Sequence, residues 1–149
     1  MYVLEREQIL PASPEDVFPF FAEARNLERI TPPWLRFKVL SAPDPLFEGA
    51  LIEYRLRLHG VPIRWLTRIE EWAPPRRFVD VQLSGPYAHW HHTHAFEAHA
   101  DGTRMRDTVR YALPLGPLGA LAHRAFVRRD VERIFDYRTV SLPSMPAAR

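Results

Sequence analysis

The segment Ala50–Trp72, ALIEYRLRLHGVPIRWLTRIEEW, decides how this chain folds. Two alternating runs flank His59-Gly60, which suits a two-residue hairpin turn. Because side chains alternate between the faces of a strand, pairing outward from this turn places four pairs on one face: Leu58–Val61, Leu56–Ile63, Tyr54–Trp65 and Ile52–Thr67. The opposite face receives charged side chains, namely Glu53, Arg55, Arg57, Arg64 and Arg68. The pattern predicts an antiparallel hairpin of strands 50–58 and 61–72 with one face in the core.

Further strands are predicted on both sides of this hairpin. Alternating residues between proline and glycine breaks indicate strands at Tyr2–Leu10, Trp34–Leu40, Phe78–Leu83, Tyr87–Glu97 and Thr103–Leu113. The phase of strand 78–83 stays undecided, because a polar face and an apolar face compete for the interior. The polar face carries Asp80 and Gln82, and the apolar face carries Val79, Val81 and Leu83.

Helices are predicted at three places. Ser13-Pro14-Glu15-Asp16 begins the first, since serine can accept from free N–H groups, proline suits the first position and acids complement the positive helix end. Asn26 begins a second, short helix that ends at Ile30. From Leu118 to Thr139 the spacing predicts one long helix. Its inner face is expected to carry Leu121, Ala125, Val127, Val131, Ile134 and Phe135.

This order of elements predicts an α+β fold. A strand, two short helices, six strands and a long helix should form a curved antiparallel sheet of about seven strands. Such a sheet has one apolar face, and a twisted sheet wraps around the C-terminal helix rather than lying flat on it. We expect a cavity between sheet and helix. Residues 1–140 are predicted to be a single domain, and residues 141–149 a flexible tail.

Composition excludes several classes of site. The 149 residues contain no cysteine, which rules out disulfides, thiolate metal ligands and cysteine nucleophiles. No stretch approaches the roughly 18 apolar residues of a membrane span and no secretory leader is recognised, so stable membrane insertion is not expected and the cytoplasm is the expected compartment. The net charge is only +2, and glutamates lie among the arginines of the outer sheet face. A salt-bridged surface is therefore expected there rather than a nucleic-acid partner.

Four stretches of the sequence resemble a known superfamily. They are Pro11–Phe18 (PASPEDVF), Asn26–Trp34 (NLERITPPW), Gly85-Pro86-Tyr87 with Trp90, His92 and His94, and Ile134–Arg138 (IFDYR). They resemble the SRPBCC superfamily, also called START or birch-pollen-allergen-like helix-grip proteins, and in particular its small bacterial ligand-binding members. The resemblance covers the chain except its tail and implies the helix-grip fold. It does not choose a function, because the superfamily includes lipid carriers, hormone receptors, polyketide cyclases and oxygenase domains.

The histidine-rich strand is the main candidate for chemistry. His92 and His94 share the predicted inner face, and pairing through the Asp101-Gly102 turn places His94 opposite Asp107. Three interpretations stay open: buried histidines satisfied by hydrogen bonds, contact with a ligand or a general base at His94 oriented by Asp107, and a metal site. A metal needs at least three well-placed ligands, and only three candidates are available, so no metal and no cofactor are predicted.

Aromatic side chains are the expected cavity lining. Tyr54, Trp65, Trp90 and Tyr111 are placed on the inner face, with Trp90 opposite Tyr111. Large rings supply apolar area and a polar handle, although each could equally fill a solid core. We therefore predict binding of a small hydrophobic or aromatic molecule, such as a lipid, polyketide or isoprenoid, with orientation from the histidines and Asp107. The alternative is a cofactor-free cyclase, dehydratase or isomerase that uses His94 and Asp107; the oligomeric state is left open.

Overall fold

The computed structural model describes residues 1–142 and contains seven strands and three α-helices. The strands are β1 (Tyr2–Leu10), β2 (Lys38–Ser41), β3 (Leu51–Leu58), β4 (Val61–Ala73), β5 (Arg77–Ser84), β6 (His89–His99) and β7 (Gly102–Ala112). The helices are α1 (Pro14–Ala22), α2 (Gly116–Ala122) and α3 (Arg128–Ser141), with 3₁₀ turns at Ala24–Ile30 and Pro33–Leu35. All strands form one antiparallel sheet in the order β1-β7-β6-β5-β4-β3-β2. The predicted helix-grip architecture is confirmed.

The register of the central hairpin is as predicted. Tyr54 pairs with Trp65, and the other three expected pairs are also present. His94 pairs with Asp107 and Trp90 with Tyr111 across β6 and β7. The outer face carries ion pairs between arginines and glutamates, including Arg64–Glu53, Arg68–Glu70, Arg104–Glu97 and Arg106–Glu7. The expectation of a salt-bridged surface is therefore met for these arginines.

The structure decides the phase of β5. Asp80 and Gln82 both point inward: the Asp80 carboxylate contacts His94, and the Gln82 amide is hydrogen-bonded to the backbone of Tyr87. Val79, on the other face, is also buried. The pairing of β4 with β5 shifts register twice, between residues 66 and 67 and between residues 69 and 71. Alternation is nevertheless kept within β5, where Phe78, Asp80 and Gln82 share the inner face. Apolarity alone did not settle the phase because this inner face carries two polar residues, whereas Val79 is buried on the other face.

The predicted strand 34–40 is too long. Pro33–Leu35 is a 3₁₀ turn that Arg36 ends in the left-handed region with φ of 48°, and the strand begins only at Lys38. Pro33 favours this turn because its fixed φ suits a first helical position and its missing N–H leaves no donor unpaired there. The short helix predicted at 26–30 is present as the 3₁₀ turn Ala24–Ile30.

The C-terminal helix is interrupted, contrary to the prediction of one continuous helix. A π-helical turn at His123–Val127 joins α2 to α3. The additional residue per turn rotates the preceding segment relative to α3. As a result Leu121 is 62% exposed and Ala125 is exposed, although both were expected to face the sheet, and His123 is buried instead. Val131 and Phe135 are buried as predicted.

Packing at one end of the sheet depends on α1. The hydroxyl of Ser13 accepts from the N–H of Asp16 at 3.3 Å, so the predicted helix start is confirmed. Phe18 and Phe21 pack on rings of β5 and β6, namely Phe78 and Phe96. Together they fill one end of the core and leave space further along the sheet.

The predicted domain limit at residue 140 stays a prediction. Helix α3 continues to Ser141, and Leu142 is buried in the core. Most of the predicted tail, residues 143–149, lies outside the described residues. Within residues 1–142, every helix is too short or too polar to cross a bilayer.

Candidate functional site

A cavity lies between the inner face of the sheet and α3. Its volume is about 130 Å³. Apolar side chains from β3, β4, α1 and α3 form most of the wall, including Phe21, Ile52, Leu56, Ile69, Ile134 and Phe135. An apolar cavity of about 150 Å³ holds a benzene molecule, so this space suits one ring or the end of a chain.

A buried polar cluster occupies one wall of the cavity. His92 Nε2 donates to Asp107 Oδ1 at 2.8 Å, and His94 Nε2 donates to Asp80 Oδ2 at 2.7 Å. The two imidazole rings stack with centroids 3.6 Å apart. His92 and His94 are only 4% and 2% exposed. The alternation of β6 therefore directs both imidazoles inward, where the carboxylates of Asp80 on β5 and Asp107 on β7 accept their hydrogen bonds.

Asp107 is the shared partner of this cluster. His94 Nδ1 lies 3.3 Å from Asp107 Oδ1, an ion-pair distance without hydrogen-bond alignment. Arg138, which reaches in from α3, places Nη1 3.6 Å from the same oxygen. Phe78 covers one side of His94, with the rings stacked at 3.9 Å. Two carboxylates and one guanidinium thus surround the two imidazoles.

The two histidines differ in their expected charge. Burial and the adjacent His94 lower the pKa of His92 from 6.5 to about 4, although Asp107 opposes that shift. Burial also acts to lower the pKa of His94, but its contacts with the carboxylates of Asp107 and Asp80 outweigh it and raise that pKa. Two stacked imidazoles repel each other if both are protonated, and this repulsion drives the pKa values of His92 and His94 apart.

Both carboxylates are held in the ionised form. Burial acts to raise the pKa of Asp107, but the hydrogen bond from His92, the close contact with His94 and the charge of Arg138 hold it far below its usual range. The pKa of Asp80 is also lowered, because the His94 hydrogen bond and the nearby cations outweigh burial. With His94 protonated and His92 neutral, the two carboxylates of Asp80 and Asp107 are balanced by two cations, His94 and Arg138. The site can hold and move a proton beside the cavity.

Aromatic groups form a neighbouring part of the wall, where the ring of Trp90 lies 6.5 Å from that of His92. Trp65 and Trp90 meet edge to face with centroids 5.2 Å apart, and Tyr87 packs on both. The Tyr54 hydroxyl is hydrogen-bonded to Thr67 Oγ1 at 2.9 Å. Burial and the negative charge of Asp80 raise the pKa of Tyr54, so it remains a neutral phenol. These rings can enclose a flat apolar group and leave few polar contacts for it.

Five of the seven predicted site residues line the cavity. They are Tyr54, Trp65, Trp90, His92 and His94. Asp107 lies behind the histidines, so its predicted direct contact with a ligand has no support from its position, and the shortest carboxylate contact of His94 is with Asp80. Tyr111 is also off the cavity wall, because its hydroxyl is bonded to His123 beside β1 and the π-helical turn. The roles of all seven in binding stay predictions.

Sequence reasoning missed the two charged wall residues, Asp80 and Arg138. Asp80 was left undecided for the reason given above. Arg138 was not considered as a site residue, although it follows Val131 and Phe135 at helical spacing and therefore shares their inward face. An arginine at a core-facing helical position was the signal that could have identified it.

Residue types that bind metals are also present. One ligand atom each from Asp80, His92 and His94 lies within 4.8 Å of the other two. However, the Nε2 atoms of both histidines already donate to carboxylates, and the rings are stacked rather than convergent. A metal would have to replace those hydrogen bonds. The expectations of no metal, no cofactor and no nucleic-acid partner stay predictions.

The sequence of residues 1–142 matches the family described as polyketide cyclase/dehydrase and lipid transport. The chain belongs to this family. The match covers every described residue, and it confirms the resemblance to the SRPBCC superfamily. No curated protein sequence matches the chain.

Solved structures share the fold of this polyketide cyclase/dehydrase and lipid transport family member. Protein CV1439 from Chromobacterium violaceum superimposes with a TM-score of 0.77 at 14% identity, over 100% of both chains. TTHA0849 from Thermus thermophilus superimposes with a TM-score of 0.71 at 25% identity, over 96% of this chain and 95% of that chain. The ZhuI aromatase/cyclase from Streptomyces sp. R1128 superimposes with a TM-score of 0.74 at 17% identity, over 94% of this chain and 90% of that chain.

Proposed function

We propose that this family member binds a small hydrophobic or aromatic molecule, lipid-, polyketide- or isoprenoid-like, in the cavity between the sheet and α3. The observation that carries the proposal is an apolar cavity of about 130 Å³ beside a buried cluster of ionised groups. Protein interiors are normally packed without such voids, because unfilled apolar space loses dispersion contacts. A ligand that fills the space would recover those contacts.

The shape of the surface supports an entry route. An outer depression shares three residues with the cavity wall, namely Leu35, Leu58 and Ile134. At its rim His59 Nε2 lies 2.8 Å from Asp130 Oδ2, which links the β3–β4 turn to α3. A ligand would enter between this turn and α3, past the His59–Asp130 contact.

Filling the cavity from within tests the proposal. Leu56 lines the cavity, whereas Leu51 on the same strand is 48% exposed on the other face. We expect Leu56→Trp to abolish retention of a co-purifying small molecule in native mass spectrometry, and Leu51→Trp to leave it unchanged. Equal retention by both variants, with both folded by circular dichroism, would contradict binding in this cavity.

The histidine cluster favours a second candidate function. A neutral imidazole beside a protonated one, both on the cavity wall, is suited to general acid–base chemistry in a cyclase, dehydratase or isomerase. In this alternative His94 exchanges the proton, and Asp107 with Asp80 orients it. His94→Gln separates the candidates: lost turnover with retained ligand binding favours the enzyme, whereas unchanged ligand conversion excludes His94 as the group that exchanges the proton.

A further inference from the structure

Three side chains on the cavity wall have buried nitrogen atoms without a hydrogen-bond partner among residues 1–142. In His94 this atom is Nδ1, which faces Asp107 Oδ1 at 3.3 Å, so the donors of Trp65 and Arg138 remain to be explained. The indole Nε1 of Trp65 is buried and has no partner among residues 1–142. The same holds for Nε and Nη1 of Arg138. Trp65 is 7% exposed as a whole, so bulk water does not readily satisfy its N–H. Unpaired buried donors are rare in folded proteins and cost about 1–3 kcal/mol each, so the three together call for an explanation.

The position of Arg138 explains why its donors remain free. Its guanidinium lies over the ring of Phe135, 5.0 Å from the ring centroid, which fixes the side chain against α3. The carboxylate of Asp107 is 3.6 Å from Nη1, close enough for charge attraction but too far for a hydrogen bond. Asp107 is held back because it already accepts from His92. The protein therefore neutralises the charge of Arg138 without pairing these two N–H groups.

Local charge selects among the possible acceptors. Asp80 and Asp107 supply two negative charges, and Arg138 and protonated His94 balance them. Asp80 also lies on the cavity wall. A ligand carboxylate would add a third, uncompensated anion near Asp80, whereas a carbonyl oxygen would accept hydrogen bonds and leave the balance intact. An oxygen-free hydrocarbon would leave all three donors unpaired.

Resting on the proposed ligand binding, we infer that the molecule held in this cavity carries neutral carbonyl oxygens that accept from the guanidinium of Arg138 and the indole N–H of Trp65. The apolar wall then encloses the rest of the molecule. Arg138 and Trp65 act as specificity determinants, because an analogue without the oxygen leaves buried donors unsatisfied.

Three probes of equal ring size test this inference on the full-length protein. They are p-xylene, which has no acceptor, 4-methylacetophenone, which has a neutral carbonyl, and 4-methylbenzoate, which has a charged carboxylate. We expect calorimetric titration to show the ketone binding about tenfold or more tightly than p-xylene, as satisfaction of one or more buried donors predicts. The carboxylate should bind more weakly than the ketone.

Variants identify the donors. Arg138→Met keeps the side-chain length and removes the donors, and it should remove most of the preference for the ketone while p-xylene still binds. Trp65→Phe should reduce the same preference. Arg129→Met makes the same replacement at an exposed position on α3 and should change nothing.

The outcomes separate this inference from the proposal on which it rests. If wild type binds p-xylene as tightly as the ketone, the donor site is wrong but the ligand cavity stands. If 4-methylbenzoate binds most tightly, the neutral character of the acceptor is wrong. If none of the three probes binds wild type at millimolar concentration, both the inference and the proposed function are overturned. Should Arg138→Met fail to fold, Trp65→Phe and the wild-type ranking still decide.

Discussion

The imidazole rings of His92 and His94 are stacked, with centroids 3.6 Å apart and planes inclined by 25°. Each ring donates to a different carboxylate, His92 to Asp107 and His94 to Asp80. Two rings at this distance share one environment, but they do not share one charge state. The carboxylates on both sides stabilise a proton on His94, and that proton disfavours a second on His92.

Separate titration of the two histidines is the first expected consequence. Nitrogen-detected NMR should show His92 neutral at pH 7 and gaining its proton only near pH 4, since burial and the adjacent His94 lower the pKa of His92 from 6.5 to about 4. His94 should remain protonated above pH 6.5, because the two carboxylates raise its pKa. A common titration of both rings near pH 6.5 would be incompatible with this arrangement.

Folding stability should therefore depend on His92 in mildly acidic solution. Between pH 6.5 and about 4, His92 is protonated in the unfolded chain but neutral in the folded protein. The free energy of unfolding therefore decreases as the pH falls through this window. His94, whose pKa is raised, does not change the dependence of the unfolding free energy on pH below pH 6.5, because it is protonated in both the folded and the unfolded protein. Relative to His92→Gln, wild type should lose up to about 1.4 kcal/mol of unfolding free energy per pH unit in this window. Parallel urea-melt profiles for the two proteins would contradict the prediction.

Removing the charge of Asp107 should be strongly destabilising. Asp107→Asn keeps the shape of the side chain but leaves Arg138 without its nearest anion, and breaking a buried ion pair costs about 3–5 kcal/mol. The matched control is Asp136→Asn, because Asp136 is 67% exposed where it pairs with Arg6. That change should cost at most about 1 kcal/mol. Similar melting temperatures for the two variants would show that Asp107 does not hold the cluster together.

Gly102 should tolerate no side chain. Its φ is 136°, and an added Cβ would lie 2.0 Å from the carbonyl oxygen of Leu10, where β1 meets β7. Gly60 also has a positive φ, 82°, but an added Cβ there meets nothing within 4 Å among the described residues. We expect Gly60→Ala to cost about 1–2 kcal/mol from backbone strain alone. Gly102→Ala should cost more than about 3 kcal/mol in chemical denaturation, and a smaller loss than that of Gly60→Ala would refute the steric explanation.

Local pattern was sufficient for the registers of the β3–β4 and β6–β7 pairs and for part of the site. The hairpin register around His59-Gly60 followed from period-two alternation and a short turn, since a slip of one residue would have turned the apolar face to water. The same reasoning placed His92 and His94 inward and His94 opposite Asp107. These relationships involve strands that are neighbours in the chain and joined by a short turn, so the pairing of their residues can be counted from the sequence.

The sequence alone thus determined the helix-grip topology, the central register and the inward direction of both histidines. Only the tertiary structure decided that His94 bonds Asp80 through a sheet with bulges, that a π-helical turn exposes Leu121, and that Arg138 enters the cavity from α3. The physical reason is the separation along the chain of the residues that interact. Alternation is imposed by the backbone residue by residue, whereas bulges, helix rotation and the pairing of buried charges are settled by packing among segments distant in the chain.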